Sequence, residues 1–185
     1  KNKVEQPMIK DFDLLQRANN DYTTIDLEHA EELAYRELID SIRYISLGDE
    51  CGVMGNIANI ITYKGRFYIQ EEQFDRVFIY DDTGRCLKKI DNKGRGPGEY
   101  LRIESIDINT EKEELMLVDG MSDKLFFYDL GGNFKSIHSI RYFQTENTLC
   151  LRDSVFLHIS APSQNFGNEG LYGYALVLSK GNENF

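Results

Sequence analysis

The stretch DRVFIYDDTG at residues 75–84 returns 48 residues later as DKLFFYDLGG at residues 123–132. Each copy opens with Asp and a basic residue, continues as an apolar run that ends in Tyr-Asp, and finishes at a glycine. Such runs, bounded by Asp and Gly, are typical of β-strands that lead into tight turns. Asp75 and Asp123 lie at the tight turn before the run, where they are expected to bond to nearby backbone N–H groups. The repeat predicts one β-unit present twice, with Gly84 and Gly132 at positive φ in the turns.

The similarity extends upstream of this stretch. Residues 66–69 match residues 114–117 at the same offset, whereas Ile60 matches Ile106 at an offset of 46. The first turn of the second copy is therefore expected to be two residues longer. A third, weaker copy without a fourth run comprises Leu149–Leu151, Val155–Ile159 and Tyr174–Leu178.

Each full copy contains four β-runs separated by turns. In the second copy these runs are Ser105–Ile108, Leu115–Val118, Leu125–Asp129 and Lys135–Ile140. A period in the forties with four strands per unit is typical of a β-propeller blade. A β-sandwich, the alternative, does not require its halves to repeat so closely. The predicted fold class is all-β: a partial β-propeller of four-stranded antiparallel blades, with about three blades present.

The domain organisation follows from where the β-signal begins. Residues 1–37 are interpreted as an N-terminal lead-in segment with a short helix at residues 27–35. Residues 38–185 are expected to form the partial propeller, preceded by a strand at Ile42–Leu47. The expected blades are residues 57–92, 103–141 and 148–185.

The composition excludes several classes of partner. The net charge of −10 argues against binding to nucleic acid or to anionic lipid. No apolar run is long enough to span a membrane, and the start at Lys1 rather than Met is compatible with a removed leader. The three cysteines have no metal-ligand spacing and allow at most one intrachain disulfide. We expect them to be small buried or half-buried side chains.

The glycine-rich sequence GRGPGEY begins at Gly94, between the first two copies. It could cradle an anion, with Arg95 as the cation. A structural role is favoured, because its Gly-Pro-Gly-Glu fits a type II turn. Arg95 would then pair with Glu99 or Asp107, and Tyr100 would pack under the turn. The candidate ligand-binding residues in this stretch are Arg95, Glu99 and Tyr100.

A long polar loop at residues 160–173 supplies two more candidates, Phe166 and Tyr172. Long loops on a rigid scaffold often carry binding, so one hypothesis is that a sugar or a peptide stacks on these aromatic rings. A disordered insertion is the alternative.

No residue is predicted to be catalytic, to bind a metal or to hold a cofactor. Most carboxylates lie in predicted turns and are expected to be solvated. Asp107 and Asp119 lie within or just after strands, where hydrogen bonding in turns is the favoured role. His138 and His158 lie in strand-like runs and are expected to have packing roles or to lie at the surface.

The sequence KGRGPGEY at residues 93–100, preceded by the strand and turn FIYDDTG, resembles the six-bladed β-propeller proteins of Bacteroides-type bacteria, relatives of NHL-repeat propellers. Ile42–Leu47 followed by Val53–Ile57 resembles the opening strand of that family. The resemblance covers about residues 38–180. It implies a secreted protein, periplasmic or at the cell surface, which in many members is lipid-anchored through an N-terminal cysteine. Most members have no assigned activity.

The resemblance also implies six blades, about twice the number found here. The favoured explanation is that the chain is a fragment of a longer protein. Alternatively, two half-propellers pair as a homodimer that completes a ring, in which Ile42–Leu47 supplies the missing outer strand of a third blade. The third explanation is an open β-sheet assembly.

The predicted function is a non-enzymatic secreted or surface module that binds an unknown protein or carbohydrate ligand or acts as a scaffold. The alternative is a propeller enzyme acting on carbohydrate, similar to a glycosidase or lyase, with carboxylates at the channel mouth. The discriminating observation is whether carboxylates from different blades converge in a channel.

Overall fold

The computed structural model describes residues 41–140, 145, 147–152, 154–159, 176–180 and 183–184. The chain divides into two compact units, residues 1–44 and residues 45–185, and the described strands all lie in the second unit. The predicted lead-in helix lies outside the described residues. Within those residues, no helix is long and apolar enough to cross a membrane.

The described strands form three antiparallel four-stranded sheets, here called blades 1, 2 and 3. Blade 1 contains β1 (Ile57–Tyr63), β2 (Arg66–Glu71), β3 (Arg76–Asp81) and β4 (Cys86–Ile90). Blade 2 contains β5 (Ser105–Asn109), β6 (Glu114–Asp119), β7 (Lys124–Asp129) and β8 (Phe134–Ser139). Blade 3 contains β9 (Asn147–Arg152), β10 (Val155–Ile159), β11 (Leu176–Lys180) and β12 (Glu183–Asn184). Blade 3 was expected to lack an outer strand, but the two-residue β12 pairs with β11 and takes that position.

The register of the strands confirms the repeat. Ile60 pairs with Ile69 in blade 1, and Ile106 pairs with Leu117 in blade 2. The first strands are therefore equivalent at an offset of 46 and the second strands at 48. The β1–β2 turn has two residues and the β5–β6 turn has four, as the offsets predicted. Gly84 and Gly132 have φ values of 89° and 80°, which also agrees with the prediction.

The blades stack face to face in chain order. We call the face of a blade toward the next blade its forward face, and the opposite side its rear face. The first interface joins Tyr68, Val77 and Ile79 on the forward face of blade 1 with Leu117 and Phe126 on the rear face of blade 2. Strands β2, β3, β6 and β7 are covered on both faces. For this reason their sequences contain continuous apolar runs instead of alternating apolar and polar residues.

The second interface is built in the same way. Met116, Leu125 and Phe127 on the forward face of blade 2 form a core cluster with Phe156 and Val177 on the rear face of blade 3. The two interfaces thus use the same faces in the same order.

The innermost strands bring the blades together at one edge. β1, β5 and β9 lie at the same edge of their sheets, and β5 packs against both of the others. Radial stacking of four-stranded sheets whose first strands converge is the arrangement of a β-propeller. The fold prediction is confirmed: the chain forms an open, partial all-β propeller.

Residues 45–56 do not form a strand; they form a strap along blade 1. Gly48 donates its backbone N–H to the carbonyl of Gly84 over 2.8 Å, and Cys51 forms a disulfide with Cys86 at the start of β4. Farther along, Asn56 accepts the N–H of Glu72 at 3.0 Å. The strap is therefore attached at both of its ends.

The strap covers part of the rear face of blade 1. Cys51 and Met54 pack on a small core cluster formed by Ile69, Phe78 and Tyr80. These three side chains are at most 2% exposed, although no blade precedes them among the described residues. The strap thus supplies the apolar cover that a neighbouring blade supplies elsewhere.

One expectation is corrected here, and one is made specific. The strand predicted at Ile42–Leu47 is absent, since residues 41–49 have no regular strand pairing. Strap residue Gly48 bonds to Gly84 in the β3–β4 turn rather than to the edge of a strand. The cysteines were expected to be small buried or half-buried side chains with at most one intrachain disulfide, and the strap brings Cys51 into a disulfide with Cys86.

Candidate functional site

The chain passes from blade 1 to blade 2 through residues 91–104, which contain GRGPGEY. The β2–β3 turn and the β6–β7 turn lie at the same end of their sheets as this connection, because the strands alternate in direction. We call this end of the sheets the crossover edge. Three of the five candidate residues, Arg95, Glu99 and Tyr100, lie at this edge.

The GRGPGEY loop is closed at its base by backbone hydrogen bonds. Gly94 N–H donates to Tyr100 O over 2.9 Å, and Tyr100 N–H donates to Asn92 O over 3.2 Å. Between them, Glu99 N–H donates to Gly96 O at 3.1 Å and Gly98 has a φ of 83°, as predicted for the type II turn.

Glu99 holds the turn from inside the loop. Its carboxylate accepts the backbone N–H of Gly96 at 2.7 Å. The same carboxylate lies so close to Gly94 that a Cβ at residue 94 would be 1.9 Å from an oxygen of Glu99. A side chain at residue 94 would therefore displace the Glu99 carboxylate from its position beside Gly96, and Glu99 has a structural role although its side chain is exposed.

Tyr100 packs under the turn, as predicted, and is fully buried. Its ring meets the ring of Phe126 edge to face, with centroids 6.0 Å apart. Its hydroxyl donates to Asp75 O over 2.8 Å and accepts the N–H of Asn92 at 3.1 Å. Burial raises the pKa of Tyr100, so the phenol stays protonated. A residue in this position has no surface to offer to a ligand.

Asp75 ties the crossover segment to the β2–β3 turn. It has a positive φ of 57°, and its carboxylate accepts the N–H of Ile103 at 3.1 Å and pairs with Lys93. The sequence predicted bonding to nearby N–H groups, but the carboxylate bonds to residues that are 18 and 28 positions away. The corresponding residue of blade 2, Asp123, has a raised pKa because it is partly buried and lies near the negative charge of Asp119.

Asp119 performs a similar task one blade later. Its carboxylate accepts the N–H of Leu101 at 2.7 Å, together with N–H groups of Met121 and Ser122 in its own turn. The Ser122 hydroxyl adds a bond of 2.6 Å. Asp119 is 1% exposed, so its oxygens face protein rather than solvent.

Asp107 joins blade 2 to blade 3 at the inner edge. Its carboxylate accepts the N–H of Cys150 at 2.6 Å. Of the two carboxylates that the sequence singled out, Asp119 therefore holds the connection that precedes blade 2, and Asp107 holds the first strand of blade 3. Asp119 also bonds within its own turn, which is the role that the sequence favoured, whereas the bond of Asp107 joins two blades rather than closing a turn.

Arg95 differs from its neighbours. It is exposed, and among the described residues it forms neither of the ion pairs expected with Glu99 or Asp107. The anchored loop therefore presents this guanidinium to solvent. The remaining two candidates, Phe166 and Tyr172, lie outside the described residues.

Sequence reasoning missed a buried polar network in blade 3. His158 is 1% exposed, and its two ring nitrogens lie 3.0 Å from Thr148 Oγ1 and 2.7 Å from Ser179 Oγ. Burial lowers the pKa of His158 to about 4, so the imidazole is neutral near pH 7. The alternation of residues within the third copy could have placed Thr148, His158 and Ser179 on one face of the sheet. It could not have identified them as hydrogen-bond partners.

A small cleft lies between blades 2 and 3. It has a volume of about 100 Å³ and is lined in part by Phe127, His138 and Phe156. The His138 ring packs on Phe127 with centroids 5.0 Å apart, which agrees with the expected packing role. Across the described ranges, no group of three or more His, Cys, Asp or Glu side chains is arranged to hold a metal ion.

The blades, their order and the anchored crossovers define a protein of the β-propeller class. The chain belongs to the family described as Domain of unknown function (DUF4934), whose model matches residues 22–184. No curated protein matches the chain.

Solved structures support the fold. The chain is similar to an exported-protein candidate of Bacteroides fragilis, with 20% identity, a TM-score of 0.66, and coverage of 76% of this chain and 39% of that one. It is also similar to U3-55K, with 11% identity, a TM-score of 0.51, and coverage of 70% and 38%. At these identities the similarity shows the fold alone. The chain spans about two fifths of the length of these structures.

Proposed function

We propose that this chain is a non-enzymatic binding module of propeller type, and that the exposed part of its crossover edge is the binding surface. The observation that carries the proposal is the contrast within GRGPGEY. Glu99 and Tyr100 hold the loop, whereas Arg95 stands exposed on it. A cation on a preorganised loop loses little conformational entropy when it meets an anionic group.

The carboxylates support binding or scaffolding over hydrolysis. A glycosidase needs two carboxyl groups facing one sugar across a gap. Asp107 and Asp119 instead accept backbone N–H groups at 2.6 and 2.7 Å. Residues committed to such bonds are poor candidates for proton transfer to a substrate.

The test uses a glycan array that contains neutral and uronic-acid polysaccharides. We expect binding without release of shorter sugars, and Arg95→Ala to weaken that binding about tenfold or more, as the loss of one charge-assisted hydrogen bond implies. The matched control is Arg85→Ala, an exposed arginine at the opposite end of blade 1. Release of shortened products by the wild type, or unchanged binding by Arg95→Ala, would contradict the proposal.

We further propose that the protein is exported and acts in the periplasm or at the cell surface. Two observations support this location. The similar Bacteroides fragilis protein is an exported-protein candidate, and the Cys51–Cys86 disulfide is of the kind that persists in oxidising compartments. We also propose that the protein is related to NHL-repeat propellers and that it carries a lipid anchor outside this chain.

A further inference from the structure

Glu71, the last residue of β2, is a fully buried carboxylate with one oxygen that the fold leaves unused. Its Oε2 accepts the backbone N–H of Phe74 at 3.3 Å. Its Oε1 is buried and has no hydrogen-bond partner among the described residues. A buried carboxylate is costly unless a cation or several donors compensate its charge. One weak hydrogen bond from Phe74 does not meet that requirement.

The equivalent carboxylate of blade 2 is fully compensated. The offset of 48 relates Glu71 to Asp119, which is also buried. One oxygen of Asp119 accepts the N–H groups of Met121 and Ser122, and the other accepts the N–H of Leu101 and the Ser122 hydroxyl. At the same position of the repeat, blade 1 therefore carries a carboxylate whose bonding is incomplete.

The register partner of Glu71 is a cation, but it is engaged elsewhere. Arg76 pairs with Glu71 across β2 and β3. Its Nε lies 3.3 Å from Asp91 Oδ2, and its guanidinium lies over the ring of Phe74, 4.4 Å from the centroid. Arg76 thus neutralises Asp91 rather than Glu71.

A second side-chain oxygen borders the same space as Glu71 Oε1. A Cβ built on strap residue Gly55 would lie 2.4 Å from Glu71 Oε1 and 2.7 Å from Gln73 Oε1. Gly55 is not among the glycines with positive φ, so space rather than backbone conformation favours glycine there. The strap and the β2–β3 turn therefore enclose a small space into which two oxygens are directed. Gln73 is exposed, so ions can enter from its side.

We propose that this space, here called the strap site and bordered by Gly55, Glu71 and Gln73, binds a calcium ion. Ca²⁺ takes carboxylate and amide oxygens in flexible geometry, whereas Mg²⁺ gives up its water reluctantly and suits a buried oxygen less well. The ion neutralises Glu71 and joins the strap to the β2–β3 turn. With a single carboxylate we expect weak binding, with a Kd of about 10⁻⁴–10⁻³ M, as in extracellular calcium modules.

The test is the urea midpoint of the wild type with EDTA and with millimolar Ca²⁺ at constant ionic strength. We expect Ca²⁺ to raise the midpoint more than the same concentration of Mg²⁺ does. Glu71→Gln keeps the shape of the side chain but removes its charge, and it should lose the response to Ca²⁺. Glu72→Gln is the matched control, because it removes the neighbouring exposed carboxylate and should keep the response.

Gln73→Glu is a second variant, which tests the site even if Glu71→Gln does not fold. It adds a second carboxylate, so calorimetric titration should show Ca²⁺ binding about tenfold tighter or more. If the Gln73 amide instead donates an N–H to Glu71, Gln73→Glu places two negative charges together and gains no affinity for Ca²⁺. That result overturns the proposal, as does a wild type whose midpoint is the same in EDTA, Mg²⁺ and Ca²⁺. An equal response to Ca²⁺ in Glu71→Gln and the wild type also overturns it, because surface carboxylates would then be the source.

Discussion

The hydroxyl of Tyr100 donates a hydrogen bond to the backbone carbonyl of Asp75 over 2.8 Å. The same hydroxyl accepts the N–H of Asn92 at 3.1 Å, so it bridges the end of blade 1 to the turn before β3. In blade 2 the equivalent groups meet directly, with Ile140 N–H donating to Asp123 O over 2.7 Å. In blade 1 the Tyr100 hydroxyl thus bridges two backbone groups that in blade 2 bond to each other directly. This bridge attaches the crossover segment to blade 1.

Removing this hydroxyl should destabilise the fold. Tyr100→Phe keeps the ring in the core but leaves the carbonyl of Asp75 and the N–H of Asn92 without this partner. We expect a loss of about 1–3 kcal/mol in the free energy of unfolding, measured by urea titration. The control is Tyr63→Phe, because the Tyr63 hydroxyl makes only an exposed contact of 3.4 Å. Equal effects of the two substitutions would show that the bridge contributes nothing.

Replacing Asp119 should lower the free energy of unfolding more than replacing an exposed carboxylate does. Asp119→Ala removes the acceptor of Leu101 N–H and of two further N–H groups in a site that is 1% exposed. We expect a loss of about 3 kcal/mol, because buried donors left unpaired are costly. The control, Glu72→Ala, changes an exposed turn residue and should stay within about 0.5 kcal/mol. A loss for Asp119→Ala no larger than this control would refute the anchoring role.

The disulfide should stabilise the strap and blade 1. Cys51 and Cys86 are 35 residues apart, for which loop-closure entropy gives a stabilisation of about 3–4 kcal/mol. A reductant should therefore lower the urea midpoint of the wild type but leave that of the double variant Cys51→Ser, Cys86→Ser unchanged. Cys150→Ser should keep the sensitivity to the reductant. A wild type that is indifferent to reductant would contradict the pairing.

His158 should make stability depend on pH in a defined window. Burial lowers its pKa in the folded protein to about 4, from 6.5. The unfolded chain binds the proton first on acidification, so the stabilisation is complete above about pH 6.5 and is lost as the pH falls toward 4. The slope is at most about 1.4 kcal/mol per pH unit.

The comparison for this prediction is His158→Gln, whose amide can still bond to the neighbouring hydroxyl groups. We expect this variant to lose the slope between pH 6.5 and 4 that urea titrations show for the wild type. Asp81, whose pKa is lowered to about 2 by bonds to Thr83 and Arg85, changes the pH dependence of stability only below about pH 4. Identical pH profiles for the wild type and His158→Gln would exclude His158 as the source.

The local features of the fold were predictable because they depend on residues close in sequence. The offset of 48 between residues 75–84 and 123–132 gave the blades, and the offset of 46 at Ile60 gave the longer β5–β6 turn. The positive φ of Gly98 followed from a Pro-Gly turn. In each case the sequence pattern and the geometry involve neighbouring positions.

The features that were missed depend on contacts between distant positions. Ile42–Leu47, which include the start of the strap, were predicted as a strand because of their β-propensity, which does not reveal whether a strand edge is available. Nothing near Cys51 indicates Cys86 as its partner. Asp75 was expected to bond locally, and only the folded chain brings Ile103 to it. The type II turn of the candidate site and the packing of Tyr100 under it were therefore predicted, but the long-range bonds of Asp75, Asp107 and Asp119 were not.

Amide hydrogen exchange at Leu101 and Ile103 tests most directly the claim that carboxylates at the crossover edge serve to anchor the chain. Neither residue lies in a strand, yet their N–H groups donate to Asp119 at 2.7 Å and Asp75 at 3.1 Å. We predict that both amides exchange as slowly as those of the central strands, while Arg95 exchanges fast, and that Asp119→Ala removes the protection of Leu101. Fast exchange at Leu101 and Ile103 in the wild type would contradict the account.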